Sequence, residues 1–366
     1  MSWKLLNRKN APNKDEGKYM YALIKETKAF GAEYREVEEK SLAAGEIRIA
    51  VEAAAICGTD IHYYKWDQAA ENFASAFNVE LPLILGHEFA GSIVEVGPGV
   101  EDKKVGDRVA IETHIPCGKC YQCQNGDAHN CNSTGIYGTT CDGAFADFAI
   151  APASVAFKLP PSIETAEGAL FEPAGVAMRG IDEANIKPGE TVLIYGCGPI
   201  AIFAIQMARV CGAGTVIAVD INGYRVDMAR KFGAVGINST KDDVYSEVMR
   251  IAAARGGVDV VLELTGSPAV YKTVFDLIRR EGRLVTIGHP PGEVPINFTK
   301  NVNLKGLSVK GIFGRRIWNT WWQLSGLVAG KKLDLMSVVT HRYKYEQHQE
   351  AFDMTAGNAG KILFMK

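Results

Sequence analysis

Thr191-Val-Leu-Ile-Tyr195, running directly into Gly196-Cys-Gly198-Pro-Ile-Ala201, is the stretch on which the fold turns. Strand-forming residues lead into a glycine-rich turn, and the turn opens a helix at about Pro199. Gly196 permits the tight turn, Gly198 lets backbone approach a pyrophosphate at the positive helix end, and Ala201 replaces the third glycine of the dinucleotide fingerprint. Asp220 closes the next strand, Thr215-Val-Ile-Ala-Val219, where a carboxylate accepts hydrogen bonds from an adenosine ribose diol. The same charge repels the extra phosphate of NADP, so NAD is the expected cofactor. Arg225, nearby in sequence, is expected over the adenine or against the pyrophosphate. The glycines alone would suit a bare βα turn; the strand before, the helix after and the acid beyond favour a bound dinucleotide.

Outward from this stretch, strands and helices alternate. A helix over 224–232 stops at Gly233, and apolar strands are expected over 258–264, 283–287 and 307–312. Alternation of this kind predicts a parallel, doubly wound sheet spanning 173–312. Before about Ile150 the texture differs. Glu46-Ile-Arg-Ile-Ala-Val51, Ala90-Gly-Ser-Ile-Val-Glu-Val96 and Asp107-Arg-Val-Ala-Ile111 read as short strands with turns at Gly97-Pro-Gly99 and Val105-Gly-Asp107. The expected fold is therefore α/β. A β-rich, barrel-like domain spans 1–172 and is rejoined by the tail 313–366; the parallel-sheet domain lies between. Polar residues at the N-terminus form an extension outside both patterns.

Chemistry concentrates in the β-rich part. Cys117-Gly-Lys-Cys120-Tyr-Gln-Cys123, then Cys131, have the short gaps that aim four thiolates at one ion, giving a closed structural zinc site. Lys119 is expected to offset part of their charge. Upstream, Cys57-Gly-Thr-Asp-Ile-His62 and Gly86-His87-Glu88 supply a thiolate, an imidazole and a carboxylate. Cys57 and His87, completed by Glu88 or Glu172, would leave one position open, as a catalytic zinc requires. His87 alone would read as a packed histidine; its neighbours reverse that. Alcohol oxidation releases a proton, and Thr59 with His62 offers a hydroxyl-to-imidazole route to solvent.

Composition excludes other classes. The net charge is −2, which gives no footprint for nucleic acid or an anionic membrane. The apolar stretch 192–210 is broken by Gly196, Gly198 and Pro199, so it is expected as strand, turn and helix and not as a membrane span. Eight cysteines, four at zinc spacing and with no apolar run after the basic start, point to reduced thiols and a cytoplasmic protein.

Taken together these motifs resemble the zinc-dependent medium-chain dehydrogenase family over almost the whole chain. The residues carrying the resemblance are Cys57-Gly-Thr-Asp-Ile-His62, Gly86-His87-Glu88-Phe-Ala-Gly91, Val105-Gly-Asp-Arg-Val109, the four-cysteine lobe and the Gly196 turn. Tyr64-Lys-Trp66-Asp67, Glu112-Thr-His114-Ile-Pro-Cys117, Asp220-Ile-Asn-Gly-Tyr-Arg225, Gly311-Ile-Phe-Gly-Arg315 and Val339-Thr-His341 are similar to the branch that oxidises the β-hydroxyl of L-threonine. The resemblance implies a GroES-like catalytic domain beside a Rossmann domain. It implies catalytic zinc on Cys57, His87 and Glu88, with Glu172 able to approach the metal, and a Thr59–His62 relay. It further implies that His114 helps recognise the amino acid. Ile200, Asp220, Arg225, Ile287, Gly288, Ile312 and Phe313 would line NAD. A homo-oligomer, by family habit a tetramer with pairing near 307–312, is implied as well.

Some positions depart from the threonine branch. The segment between Trp66 and Leu85 is longer, Glu172-Pro-Ala-Gly lacks a small polar run, and Cys141-Asp-Gly-Ala-Phe-Ala is similar to polyol dehydrogenases of sorbitol type. A polyol or sugar acid is therefore the rival substrate, and a non-catalytic zinc-stabilised binding protein the distant alternative. Ile317, Trp318, Trp321, Trp322 and Leu324 fall at helical spacing and are expected as a packed helix face.

Overall fold

The computed structural model describes residues 18–366; the N-terminal extension lies outside the described residues. Two compact units emerge. One holds the described residues up to Glu172 with Arg316–Ser325 and Val339–Lys366; the other holds Pro173–Arg315 with Gly326–Val338.

The first unit begins with β1 (Tyr19–Lys25), β2 (Glu33–Glu38) and β3 (Glu46–Ala55). Helix α1 (Gly58–Lys65) and helix α2 (Gln68–Phe77) follow, then β4 (Leu83–Ile84), β5 (Glu88–Val96) and β6 (Arg108–Ile111). Next come β7 (His114–Ile115), β8 (Gly135–Ile136), β9 (Phe148–Pro152) and β10 (Ala156–Lys158). Ile47, Ile49 and Val51 of β3 sit two apart, so one face of the strand enters the core with Phe89, Ile93, Val109 and Ile111. Each such side chain contributes roughly 1.5–3 kcal/mol on burial. β3 is the hub, pairing antiparallel with both β5 and β9. Because Cys57 lies two residues beyond β3 and His87 directly precedes β5, the β3–β5 pairing, which ends at Ala55 opposite Glu88, brings those distant residues together. Gly86 makes the turn before them at φ +93°, and a Cβ there would lie 2.3 Å from the Phe145 ring.

The second unit carries β11 (Thr191–Tyr195), β12 (Thr215–Asp220), β13 (Val235–Asn238), β14 (Val258–Glu263), β15 (Ile278–Thr286) and β16 (Ser308–Gly311). All pairs are parallel and the order is β13-β12-β11-β14-β15-β16, the doubly wound arrangement with its order reversal beside β11. β11 and β14 are buried at every position, as sheets covered on both faces require. Two differences from the sequence reading have simple causes. β13 was not expected, since Val-Gly-Ile-Asn is a short edge strand with a glycine inside it. β15 begins before 283, its polar Arg279–Glu281 masking the pattern.

The chain returns to the first unit with β17 (Val339–Tyr343) and β18 (Lys361–Met365), the latter pairing with β3. The expected boundary at 312 falls at Arg315, and Gly326–Val338, expected with the first unit, belongs to the second. There Leu333, Leu335 and Val338 are buried, and Asp334 exchanges two hydrogen bonds with the Gln206 side chain. Trp321 and Leu324 are buried in the helix Asn319–Ala329, but Trp322 is 66% exposed, so only part of the expected stripe faces inward. Among the described residues no helix is long and apolar enough to cross a membrane.

Candidate active site

Cys57, His87 and Glu88 converge, with one ligand atom of each within 4.8 Å of the others. Cys57 caps α1, and Asp60, in the first turn of that helix, completes a capping box by accepting the Cys57 amide at 2.8 Å. The second Asp60 oxygen accepts the Gly86 amide at 3.1 Å and lies 3.7 Å from His87 Nδ1. One fully buried carboxylate thus orients two of the three donors. Thr113 Oγ1 donates to the His87 carbonyl at 2.7 Å. Behind Glu88 stands Lys361 of β18, its Nζ 2.7 and 2.5 Å from the two carboxylate oxygens and 2.8 Å from the Ile56 carbonyl.

The electrostatics ask for a cation. Burial pushes the Asp60 carboxyl up, against the pull of His87, the Cys57 amide, Lys361 and the Gly86 amide. Glu88 is pushed up to about 7 by burial, with Lys361 pulling down and Glu172 pushing further up. For His87 burial works downward, yet Asp60, Cys57 and Glu172 outweigh it and hold the imidazole well above its usual range. Lys361 is likewise raised: burial lowers it, but Glu88, Cys57 and Glu172 prevail. Three buried carboxyl groups and a thiol therefore surround one ammonium and one imidazole. His87 Nδ1 is buried without a hydrogen bond among the described residues. A soft thiolate, an imidazole and a carboxylate with surplus negative charge fit zinc. Glu172, buried beside them, lies outside the three-residue group but close enough to raise both Glu88 and His87.

Thr59 and His62 both lie on α1, three residues apart and so on one face. His62 is partly exposed, and its Nδ1 is 2.7 Å from Asp67 Oδ2. His114, on β7, is buried, and both its amide and its Nδ1 meet Glu112 Oε1, at 2.9 and 3.0 Å. The other Glu112 oxygen accepts Trp321 Nε1 at 2.7 Å, and the Trp321 ring packs on Phe157 and Phe171 at centroid distances of 5.5 and 5.8 Å. An aromatic block thus fixes the carboxylate that fixes His114. Asp60, Asp67, Glu112, Trp321 and Lys361 were missed as site residues in the sequence reading. Only Asp60 carried a local signal, its spacing from the cap residue Cys57.

Cys117, Cys120, Cys123 and Cys131 form the second group, all as free thiols. The Cys120 sulfur lies 3.5 Å from that of Cys123 and 3.8 Å from that of Cys131. Zinc–sulfur bonds of about 2.3 Å at tetrahedral angles place sulfurs roughly 3.8 Å apart, so the lobe fits the ion. Amides of Lys119 and Cys120 pull the Cys117 thiol down, and those of Cys123 and Asn132 pull Cys120 down to about 6. Burial, reinforced by Cys120 and Cys131, pushes Cys123 up to about 12, and burial raises Cys131. The thiols thus pull in opposite directions, and a zinc ion would offset the charge of all four as thiolates. The Lys119 contribution comes from its backbone amide.

In the second unit the expected cofactor residues gather at the carboxyl ends of β11, β12, β15 and β16. Gly196 turns at φ +94°, and Gly198 caps the helix Pro199–Val210 with no side chain in the way. Ile200 stands in its first turn. Asp220 ends β12, where its two oxygens accept the Cys197 and Asn222 amides at 2.7 and 2.8 Å. The carboxylate thus ties the Gly196 turn to the loop that follows β12. Arg225 opens the next helix, its amide bonded to Asn222 Oδ1 and its Nε buried without a hydrogen bond among the described residues. Ile287 and Gly288 follow β15, and Ile312 and Phe313 follow β16. A Cβ on Gly288 would lie 2.1 Å from the Gly266 amide. His289, not anticipated, packs edge-on against Phe313 and is lowered by burial. This crevice can hold a dinucleotide.

Residues 43–161 match the alcohol dehydrogenase GroES-like domain, and residues 199–330 match the zinc-binding dehydrogenase family. The chain is 42% identical over 349 residues to an L-threonine 3-dehydrogenase of Pyrococcus abyssi, covering 94% of this chain and 98% of that one. Among solved structures, an alcohol dehydrogenase of Escherichia coli complexed with NADH superposes with a TM-score of 0.85 at 26% identity, covering 96% of this chain and 100% of the other. The 2R,3R-butanediol dehydrogenase of Bacillus subtilis gives a TM-score of 0.84 at 27% identity, with 95% and 99% covered. The chain belongs to the zinc-binding alcohol dehydrogenase family.

Proposed function

We propose that this protein oxidises the β-hydroxyl of L-threonine to 2-amino-3-ketobutyrate, with NAD+ reduced to NADH. The observation that carries the reading is the near-full-length identity of 42% to an L-threonine 3-dehydrogenase. Cys57, His87 and Glu88 would hold a zinc able to acidify an alcohol, and the Gly196 turn with Asp220 would hold the NAD+ that serves as hydride acceptor. The rest falls to the chain. Asp60 accepts the amides of Cys57 and of Gly86, next to His87, and faces the His87 ring at 3.7 Å, so the donors are set before substrate arrives. Glu172, close enough to act on Glu88 and His87, would offer a second carboxylate to that zinc. The hydroxyl proton leaves by Thr59 and His62, and the partly exposed imidazole releases it to water. His114, kept in orientation by Glu112, recognises the amino acid. The cysteine lobe binds its zinc for structure alone.

L-threonine deuterated at Cβ tests this. The zinc-loaded enzyme should move the label into reduced cofactor, while unlabelled NADH would place oxidation at another carbon. A second reading, a secondary diol or polyol substrate, is favoured by the solved butanediol dehydrogenase and by Cys141-Asp-Gly. That reading keeps the same zinc, relay and cofactor.

The reduced thiols of the zinc lobe support a cytoplasmic setting. β16 is exposed along its whole length at the edge of its sheet, which supports pairing with a second copy on the way to a tetramer. The weak net charge supports a small-molecule partner and no nucleic acid.

A further inference from the structure

Helices α1 and α2 meet at a sharp corner: Trp66 turns left-handed at φ 51°, and Asp67 caps α2. The Asp67 carboxylate divides its work. Oδ1 accepts the amides of Ala69 and Ala70 at 3.0 and 3.2 Å, while Oδ2 meets His62 Nδ1 at 2.7 Å. Burial pushes Asp67 up, but His62 and the two amides outweigh it and hold the carboxyl below its usual range. An ionised carboxylate only accepts hydrogen bonds, so Nδ1 of His62 is the donor and the lone pair of neutral His62 sits on Nε2.

We infer that Asp67 is a positioning residue for alcohol oxidation, fixing the tautomer of His62 and stabilising its imidazolium; this rests on the reading of His62 as proton acceptor. The proton lost by the substrate hydroxyl passes to Thr59 as Thr59 gives its own to His62 Nε2. The hydride leaves separately to NAD+. The imidazolium, held against Asp67, then returns a proton to water through its exposed edge. Asp67 is the charged group facing His62 from α2. Glu71, one turn along, is engaged by Trp66 Nε1 at 2.6 Å and Lys28 Nζ at 3.2 Å, and Lys65 on α1 is exposed.

The split between the two oxygens makes the idea testable. Asn caps a helix as well as Asp does, so Asp67→Asn keeps the Oδ1 role. It replaces the acceptor facing Nδ1 with an amide that can donate, which favours the wrong tautomer. The expected result is a kcat/KM lowered at least roughly tenfold at neutral pH, part of the about hundred- to ten-thousandfold that proton transfer by a positioned side chain supplies. The pH profile of kcat/KM should change with it, because the imidazole loses the carboxylate that orients it. Thermal unfolding should stay at the wild-type temperature. In a His62→Gln background the same change should cost nothing further. A wild-type pH profile in Asp67→Asn, alongside a lost limb in His62→Gln, overturns the positioning role. An equal loss in both backgrounds makes Asp67 structural and also overturns it. A wild-type rate and limb in His62→Gln rejects the relay itself, and the inference with it.

Discussion

At the scale of single residues, the site is a set of donors held by partners that are themselves buried. Cys57 is the thiolate of the open group, so Cys57→Ser should abolish turnover while leaving NADH binding and the unfolding temperature unchanged. Fluorescence titration of NADH beside a turnover assay checks this, and retained turnover would sink the zinc assignment. The grouping of Cys57, His87 and Glu88 was legible in their residue types and local order. Their supports were not. Lys361 reaches Glu88 across 273 residues, and Trp321 reaches Glu112 across 209. Nothing local to either sequence position announces such a contact; only the β18–β3 pairing and the aromatic block create it.

At the scale of elements, spacing was informative wherever one element contains the whole signal. The Gly196 turn, read from a strand and a helix start, has the geometry a dinucleotide needs, and the Cys117–Cys131 segment folds its four sulfurs together. That lobe makes a prediction distinct from the catalytic group. Cys120→Ser should remove a metal ligand, cost a few kcal/mol and lower the unfolding temperature by roughly 5–10 °C. Turnover per correctly folded site should change little. Calorimetry with zinc counting checks it, and an unchanged Tm with one zinc lost would deny the lobe its structural role. Short or polar-interrupted elements were harder to read. β13 has one glycine in four residues, and the Asn319–Ala329 helix buries Trp321 while exposing Trp322, although both rings pack on Phe157; adjacent helical positions point in different directions, so a run of neighbouring tryptophans does not form one face.

At the scale of the whole molecule, the chain divides into two units, with both groups of candidate metal ligands in the first and the glycine-turn sheet in the second. The change of texture after 172 was visible, since alternation at period two gives way to strands separated by helices. The division of the tail was not, because Gly326–Val338 is sorted by its burial and by Gln206. Within the parallel-sheet unit, Asp259 ties strands at their amino ends. It accepts the Thr191 amide and Arg279 Nε at 2.7 Å each and Arg255 Nη1 at 2.9 Å. Burial pushes this carboxyl up, but those donors hold it below its usual range. A depressed folded pKa gives stability that is present above the unfolded value and lost as pH falls through the folded one. Asp259→Asn should therefore unfold about 2 kcal/mol more easily at neutral pH, less than a fully enclosed pair because Arg255 is half exposed. The variant should also lose less stability than wild type on acidification below about pH 4. Denaturant titrations at neutral and acid pH would show it, and parallel wild-type and variant curves would refute it.

This zinc-binding dehydrogenase is built for L-threonine, as its 42% identity to an L-threonine 3-dehydrogenase over 349 residues supports. The direct measurement is kcat/KM with NAD+ for L-threonine, 2,3-butanediol, sorbitol and galactitol on one zinc-loaded preparation. The account predicts a preference for L-threonine of at least about a hundredfold, the discrimination expected when buried groups pair with the ammonium and carboxylate. Equal or better turnover of a diol or polyol would contradict it.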